Sequence, residues 1–297
     1  MLSIIRHYKF WFSVSVVILA AGIISLSIFG LRLGIDFTGG TVDQLTFTKV
    51  PDIQKIQQIA NAENIGAVQI QPAGTNDVII KTKPLEKPVH DKLLSDLKAK
   101  AGDFQEKSYT SIGPVIGKEI TSKAIYQLIL VSLGIVFYIA YAFRKVSRPV
   151  SSWNFGWAAI IALLHDLFVV AGIFSILGHF FHIEVDSLFV TALLTVLGFS
   201  VHDTIVVFDR IRENLKTEAG NSMEFIVNHS INQTVVRSLN TSLTVLFVLL
   251  ALLLFGGVTI KYFVLALFIG IIAGTYSSIF IASPILVLWQ KWQTKKA

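Results

Sequence analysis

Cysteine is absent from all 297 residues. That excludes thiol catalysis, iron–sulfur clusters, thiolate zinc sites and a disulfide scaffold. Charge is scarce as well. Asp, Glu, Lys and Arg make up 15% of the chain, against about 25% in an average soluble domain. No HExxH and no Walker A sequence occurs, so metalloprotease and ATP-hydrolysing chemistry lack their usual residues. What fills the chain instead is apolar: 53% of residues are hydrophobic and the mean hydropathy is +0.67. This excess is too large for one globular core and is grouped into long blocks, which excludes a soluble enzyme.

Crossing about 30 Å of hydrocarbon takes about 20 apolar residues in a helix. Six stretches qualify: 11–29, 124–143, 155–177, 187–208, 239–255 and 262–289. Arg6 and Lys9 precede the first, but five more spans follow, so it is read as an uncleaved anchor. The Lys/Arg bias of the short connections sets orientation. Arg6, Lys9, Arg144, Lys145, Arg148, Arg210, Arg212, Lys216, Arg237, Lys291, Lys295 and Lys296 fall on one side, and Lys261 alone falls in the short loops of the other. Both termini are therefore expected in the cytoplasm, with the long segment after the first span outside. The net charge of +6 comes mainly from these topology determinants, which also meet anionic lipid. It does not imply nucleic acid.

The outer segment carries 12 Lys/Arg and 11 Asp/Glu and is long enough to fold. Val42–Thr48 alternates as a strand, Pro51 opens a helix through about Glu63, and 67–71 and 78–82 are strand-like. Pro88–Lys100 is amphipathic and Phe104–Ser111 closes the unit. This β-α-β-β-α-β order predicts a ferredoxin-like split βαβ fold. The segment has no clustered His/Asp/Glu set that looks catalytic, and neither a metal site nor a cofactor is expected. The division is residues 1–30 for the N-terminus and first span, 31–123 for the ferredoxin-like extracytoplasmic domain, and 124–297 for a five-helix transmembrane region.

The bilayer should exclude ionisable side chains, at a cost of about 2.5–3.5 kcal/mol each on insertion scales. Three positions break that rule: His165–Asp166 in the third span, His202–Asp203 in the fourth and Arg237 entering the fifth. Thr191, Thr195, Gly198 and His202 share one face of the fourth span, which Asp203 flanks. Gln233, Thr234, Arg237, Asn240, Thr241 and Thr244 form a polar stripe on the fifth, expected to face Asp203 so that an Asp203–Arg237 pair forms. A carboxylate exchanging a proton for a guanidinium is a switch that couples proton flow to helix movement. The competing reading is a polar core that only holds helices together. His165, Asp166, His202 and Thr241 fit a relay or that core equally. Ala266, Gly270, Gly274, Ser278 and Ala282, spaced by four, predict close helix packing in the last span.

Three runs then carry a resemblance: Gly34-Ile-Asp-Phe-Thr-Gly-Gly40 after the first span, Gly198-Phe-Ser-Val-His-Asp-Thr204 continuing through Asp209-Arg-Ile-Arg-Glu-Asn214, and Ser230-Ile-Asn-Gln-Thr234 with Arg237-Ser-Leu-Asn-Thr-Ser242. In this order, with this span count, the chain resembles the SecF family of bacterial protein-export membrane proteins, in the RND-type transporter superfamily. The resemblance implies a six-helix half-transporter bundle with a small α+β extracytoplasmic domain, in the bacterial cell membrane, and no enzyme activity. It implies SecD as heteromeric partner and work beside the SecYEG channel and the SecA motor on a translocating preprotein. It implies use of the proton-motive force, with Asp203 and Arg237 as the proton-pathway residues. Asp36, Gly39 and Gly40 read as a span-to-domain turn, since paired glycines mark turns. The alternatives are a proton-coupled exporter of a small solute or lipid and, more remotely, an intramembrane aspartyl protease using Asp166 and Asp203. The chain lacks the Gly-x-Gly-Asp signature expected of the latter.

Overall fold

The computed structural model describes residues 3–63, 65–66, 68–143, 152–218 and 220–296. The basic loop with Arg144, Lys145 and Arg148, and the strand residue Ala67, lie outside these. Two compact units form: residues 1–32 with 126–297, and residues 33–125.

The first unit is helical. Helix α1 is Tyr8–Phe29. After the second unit, α5 (Pro114–Ala142), α6 (Ser152–Phe181), α7 (Ser187–Thr217) and α8 (Met223–Phe255) follow. Helix α9 (Lys261–Ser277) continues through a π-helical turn, Ser278–Ala282, into α10 (Ser283–Lys296). Among the described residues, six helices are long and apolar enough to cross a membrane, the number expected. Their ends differ from the apolar runs. Helix α7 runs past Phe208 to Thr217, and α8 begins at Met223 instead of Leu239. Polar residues there have an aqueous medium and need not stop a helix, so hydropathy marks the hydrocarbon crossing and not the helix end. Capping marks the end: Ser222 Oγ accepts from Phe225 N–H, and Asp186 Oδ1 accepts from Phe189 N–H.

Small residues set the tightest approaches. A Cβ on Gly172 would stand 2.5 Å from Gly22 Cα, so α1 and α6 touch backbone to backbone. The row of small residues spaced by four in the last span packs against α7. A Cβ on Gly270 would meet Val196 Cγ2 at 2.2 Å, and one on Gly274 would meet Ser200 Cβ at 2.9 Å. Phe143, Phe155 and Phe208 fill the apolar core between α6, α7 and the end of α5, with stacked and edge-on rings 5.2–6.2 Å apart.

The second unit contains the short helix α2 (Ile35–Thr38), β1 (Gly40–Phe47), α3 (Ile53–Ala62), β2 (Gln69–Pro72), β3 (Asp77–Thr82), α4 (Lys87–Ala101) and β4 (Phe104–Ile112). The sheet order is β2-β3-β1-β4, with every neighbouring pair antiparallel. This is the ferredoxin-like arrangement, two interleaved βαβ units. Its core is Leu45, Phe47, Ile56, Ile59, Val78, Ile80, Leu93 and Leu97. Helix α3 starts at Ile53, later than Pro51 suggested, because Asp52 caps it by accepting from Gln54 N–H and Lys55 N–H. On the open face of the sheet, the Thr46 hydroxyl and then the Lys107 ammonium hold the Asp77 carboxyl below its ordinary range.

The glycine pair is built into this unit. Gly39 has φ +75° and Gly40 φ +156°, conformations that favour glycine. A Cβ on Gly40 would lie 2.8 Å from Thr82 O and 2.7 Å from Ile35 Cγ2, and one on Gly39 would lie 2.9 Å from Pro114 Cα. Asp36 sits in the first turn of α2. Gly40→Ala is expected to destabilise the unit by about 1–3 kcal/mol. Hydrogen exchange should report it as faster exchange of the β1 and β3 amides, with the spans unchanged.

Candidate functional site

Two carboxylates are buried in the helical unit, and serine and threonine hydroxyls surround both. Asp166 on α6 has no exposed surface. Its Oδ2 accepts from Ser200 Oγ of α7 at 2.6 Å and from Ser277 Oγ of α9 at 2.8 Å. Its Oδ1 lies 3.0 Å from His165 Nδ1. Three helices therefore converge on one carboxylate. His165 stacks 6.0 Å from the ring of Tyr276, whose hydroxyl donates to Trp11 O on α1.

Asp203 lies one position short of a full turn beyond Ser200 and is 6% exposed. Its carboxylate faces Ser238 of α8 and Ser278 of the π-helical turn. Asp203 Oδ2 and Ser238 Oγ are both buried and make no hydrogen bond among the described residues. Ser278 connects the two neighbourhoods. Its hydroxyl stands 3.0 Å from Thr204 Oγ1 and reaches Ser200 O at 3.5 Å, while Ser200 holds Asp166. A seam of hydroxyls thus runs between the two acids. The π-helical turn widens the helix at this point, and such bulges are frequent at functional sites.

The buried polar face of α8 is Ser230, Thr234, Ser238 and Ser242, in steps of four. It continues the seam, with Ser242 Oγ 2.5 Å from Thr275 Oγ1, and Asn214 donating to Ser230 Oγ at 2.9 Å. This corrects the expected stripe. Arg237, Asn240, Thr241 and Thr244 are exposed, because the helix is turned about one position from the orientation that the most polar residues suggested. Arg237 forms no ion pair among the described residues, so the expected Asp203–Arg237 pair is absent within this chain. Thr241 Oγ1 donates to Arg237 O in its own helix. The expected polar face of α7 also looks outward: Thr191, Thr195, Gly198 and His202 are exposed, while Ser200, Asp203 and Thr204 turn inward. Among the described residues the partners of Asp166 are one imidazole and two hydroxyls, so it forms no carboxylate dyad of the aspartyl-protease kind there.

Arg210 and Arg212 pair locally, with Glu213 at 2.6 Å and Asp209 at 2.5 Å. Ser238, Ser277 and Ser278 had no signal as site residues, since single serines are ordinary in apolar helices. Their spacing on one face of α8 and one turn of the last span was the only trace.

Long apolar helices enclosing buried acids on a hydroxyl seam, joined to a ferredoxin-like unit, define a polytopic membrane protein of the half-transporter type. The family profile described as "Protein export membrane protein SecD/SecF, C-terminal" matches residues 92–292, and the one described as "SecD/SecF GG Motif" matches residues 24–49, around Gly39–Gly40. The chain belongs to the SecD/SecF family of protein export membrane proteins. It is 50% identical to the protein translocase subunit SecF of Thermobaculum terrenum, over 98% of this chain and 94% of that one. To the SecF of Anaerolinea thermophila it is 40% identical, with the same coverage. The crystal structure of SecDF from Thermus thermophilus, a translocon-associated membrane protein, matches with a TM-score of 0.82 and 33% identity, over 97% of this chain. This chain spans 38% of that one's length.

Proposed function

We propose that this chain is the SecF-type auxiliary subunit of a Sec preprotein translocase, a non-catalytic half-transporter that works with a SecD-type partner. The carrying observation is the outward polar face of α7 and α8. At 1.5 Å per residue, Asn240, Thr241 and Thr244 lie about 16–22 Å along the axis from Phe255, and Thr191, Thr195 and His202 about 6–22 Å from Ser187. These depths fall inside a 30 Å hydrocarbon layer. The threonines return hydrogen bonds to their own helices, so Asn240 and His202 carry the argument: facing lipid they are unfavourable, whereas facing a second helical bundle they form interhelical hydrogen bonds. The names of the SecF relatives and the fused SecDF neighbour support a SecD-type occupant of that face.

In this reading Asp203 carries the proton, Arg237 answers it through the partner interface, and the hydroxyl seam to Asp166 and His165 extends the route. The Lys/Arg bias supports cytoplasmic termini in the bacterial cell membrane, with the ferredoxin-like unit outside, where it meets a preprotein leaving SecYEG after SecA-driven insertion. The test is co-purification from detergent. The chain should recover a SecD-type subunit. Failure to recover one would remove the partner from this face.

A further inference from the structure

The unit formed by residues 33–125 holds a cluster that the transport reading does not use. Asp43 lies on β1, His90 in the first turn of α4 and Glu106 on β4. Along β1, Thr41, Asp43, Leu45 and Phe47 are the buried positions, so they share the face covered by the helices. In the ladder to β4, Leu45 stands opposite Glu106 and Asp43 opposite Tyr109, with the register shifting between Gln44 and Leu45. Lys107 is the extra residue on β4. A bulge of this kind re-aims side chains. It leaves Lys107 to pair with Asp77 on the open face and brings Glu106 and Tyr109 both onto the face of Asp43. Helix α4 closes the group. His90 Nε2 lies 2.8 Å from Asp43 Oδ1, and its ring centre is 4.2 Å from that of Tyr109.

One ligand atom from each of Asp43, His90 and Glu106 lies within 4.8 Å of the other two. Asp43 has no exposed surface, and its Oδ2 has no hydrogen-bond partner among the described residues. A His–Asp hydrogen bond accounts for Oδ1 only. It leaves a buried carboxylate oxygen unsatisfied beside a second carboxylate of like charge, an arrangement that a cation would relieve.

We propose that Asp43, His90 and Glu106 form a binding site for a divalent transition-metal cation of the zinc class, with a fourth position open to water on the exposed side of Glu106. One imidazole nitrogen and two carboxylate oxygens belong to zinc's ligand set, and tetrahedral geometry places neighbouring ligand atoms about 3.3 Å apart. Nε2 and Oδ1 need only separate by about half an ångström, and the exposed Glu106 side chain is free to turn inward. Magnesium and calcium prefer all-oxygen shells and are disfavoured by the imidazole. Bound metal would join β1, β4 and α4 and add its binding free energy to the stability of this unit.

The experiment uses Zn2+ alone, titrated into the purified full chain in detergent, with calorimetry and thermal unfolding as readouts. One zinc per chain is expected, with a raised unfolding midpoint that a chelator reverses. Glu106→Gln should weaken binding about tenfold or more, the scale of loss for groups that support a bound metal, without lowering the metal-free midpoint, because Glu106 is exposed and its charge only repels Asp43. Co2+ should give the visible absorption of a tetrahedral site in the native chain and lose it in E106Q. Absence of a zinc-dependent midpoint shift, equal affinity in E106Q, or an equal response to Mg2+ would each overturn the site.

Discussion

Asp203→Asn is expected to abolish the part of preprotein translocation that depends on a proton gradient and to leave the gradient-independent part in place. The assay is translocation into vesicles containing SecYEG, a SecD-type subunit and this chain, with and without an imposed gradient. The expectation follows from burial and shape. Asp203 is 6% exposed, faces Ser238 and Ser278, and keeps one carboxylate oxygen free of any hydrogen bond among the described residues. Asparagine has nearly the same shape and fills the same space, but it cannot take up or release a proton. One charge crossing 100 mV is worth about 2.3 kcal/mol, a bias of about fifty-fold that the variant cannot draw on. Insertion and thermal midpoint should stay close to native, because Asp203 makes no ion pair among the described residues. Arg237→Ala should give the same loss of gradient dependence, again without unfolding the isolated chain, since Arg237 is exposed in it. A variant pair that still responds fully to the gradient would remove proton coupling from these residues.

The position expected for Arg237 and the exposed one that it takes separate what a sequence can carry from what it cannot. Six apolar runs were legible because hydrocarbon thickness sets a length that no soluble helix needs. The ferredoxin-like unit was legible because alternation and amphipathic periods change where the elements change. The rotation of α8 was not. Reading the most polar stripe as the inward one assumes that a single chain buries its own polar residues. Here the buried face is made of Ser230, Thr234, Ser238 and Ser242, small hydroxyls that return hydrogen bonds to their own helix, as Thr234 does to Ser230 O and Ser242 to Ser238 O. Such residues are compatible with either medium, so their spacing alone does not reveal a side. Arg237 and Asn240 were conspicuous because they belong to a face that this chain leaves open. The Asp43–His90–Glu106 group was invisible for another reason: its members lie on three elements, and a bulge at Lys107 decides which way Glu106 points.

The double substitution Ser200→Ala with Ser277→Ala is expected to destabilise the helical unit by about 2–6 kcal/mol, because a fully buried carboxyl oxygen loses both of its hydroxyl donors. Asp166 Oδ2 accepts from these two hydroxyls and from no other group among the described residues. Leaving a buried acceptor unsatisfied costs about 1–3 kcal/mol per lost bond, and Asp166 has no exposed surface through which water could replace them. A fall in the unfolding midpoint on the order of 10 °C should follow, read by tryptophan fluorescence in detergent. Adding Asp166→Ala should restore part of the loss, because the stranded carboxylate is gone. That reversal is the signature of a coupled group, since independent sites would add. The same background decides between the two roles left open for Asp166. As an anchor, Asp166→Asn keeps both serine contacts through its amide oxygen, and gradient-dependent translocation survives. As a relay, the variant folds normally but loses that dependence as Asp203→Asn does, because an amide at the inner end of the hydroxyl seam holds no exchangeable acid proton for Ser200 or Ser277 to pass on.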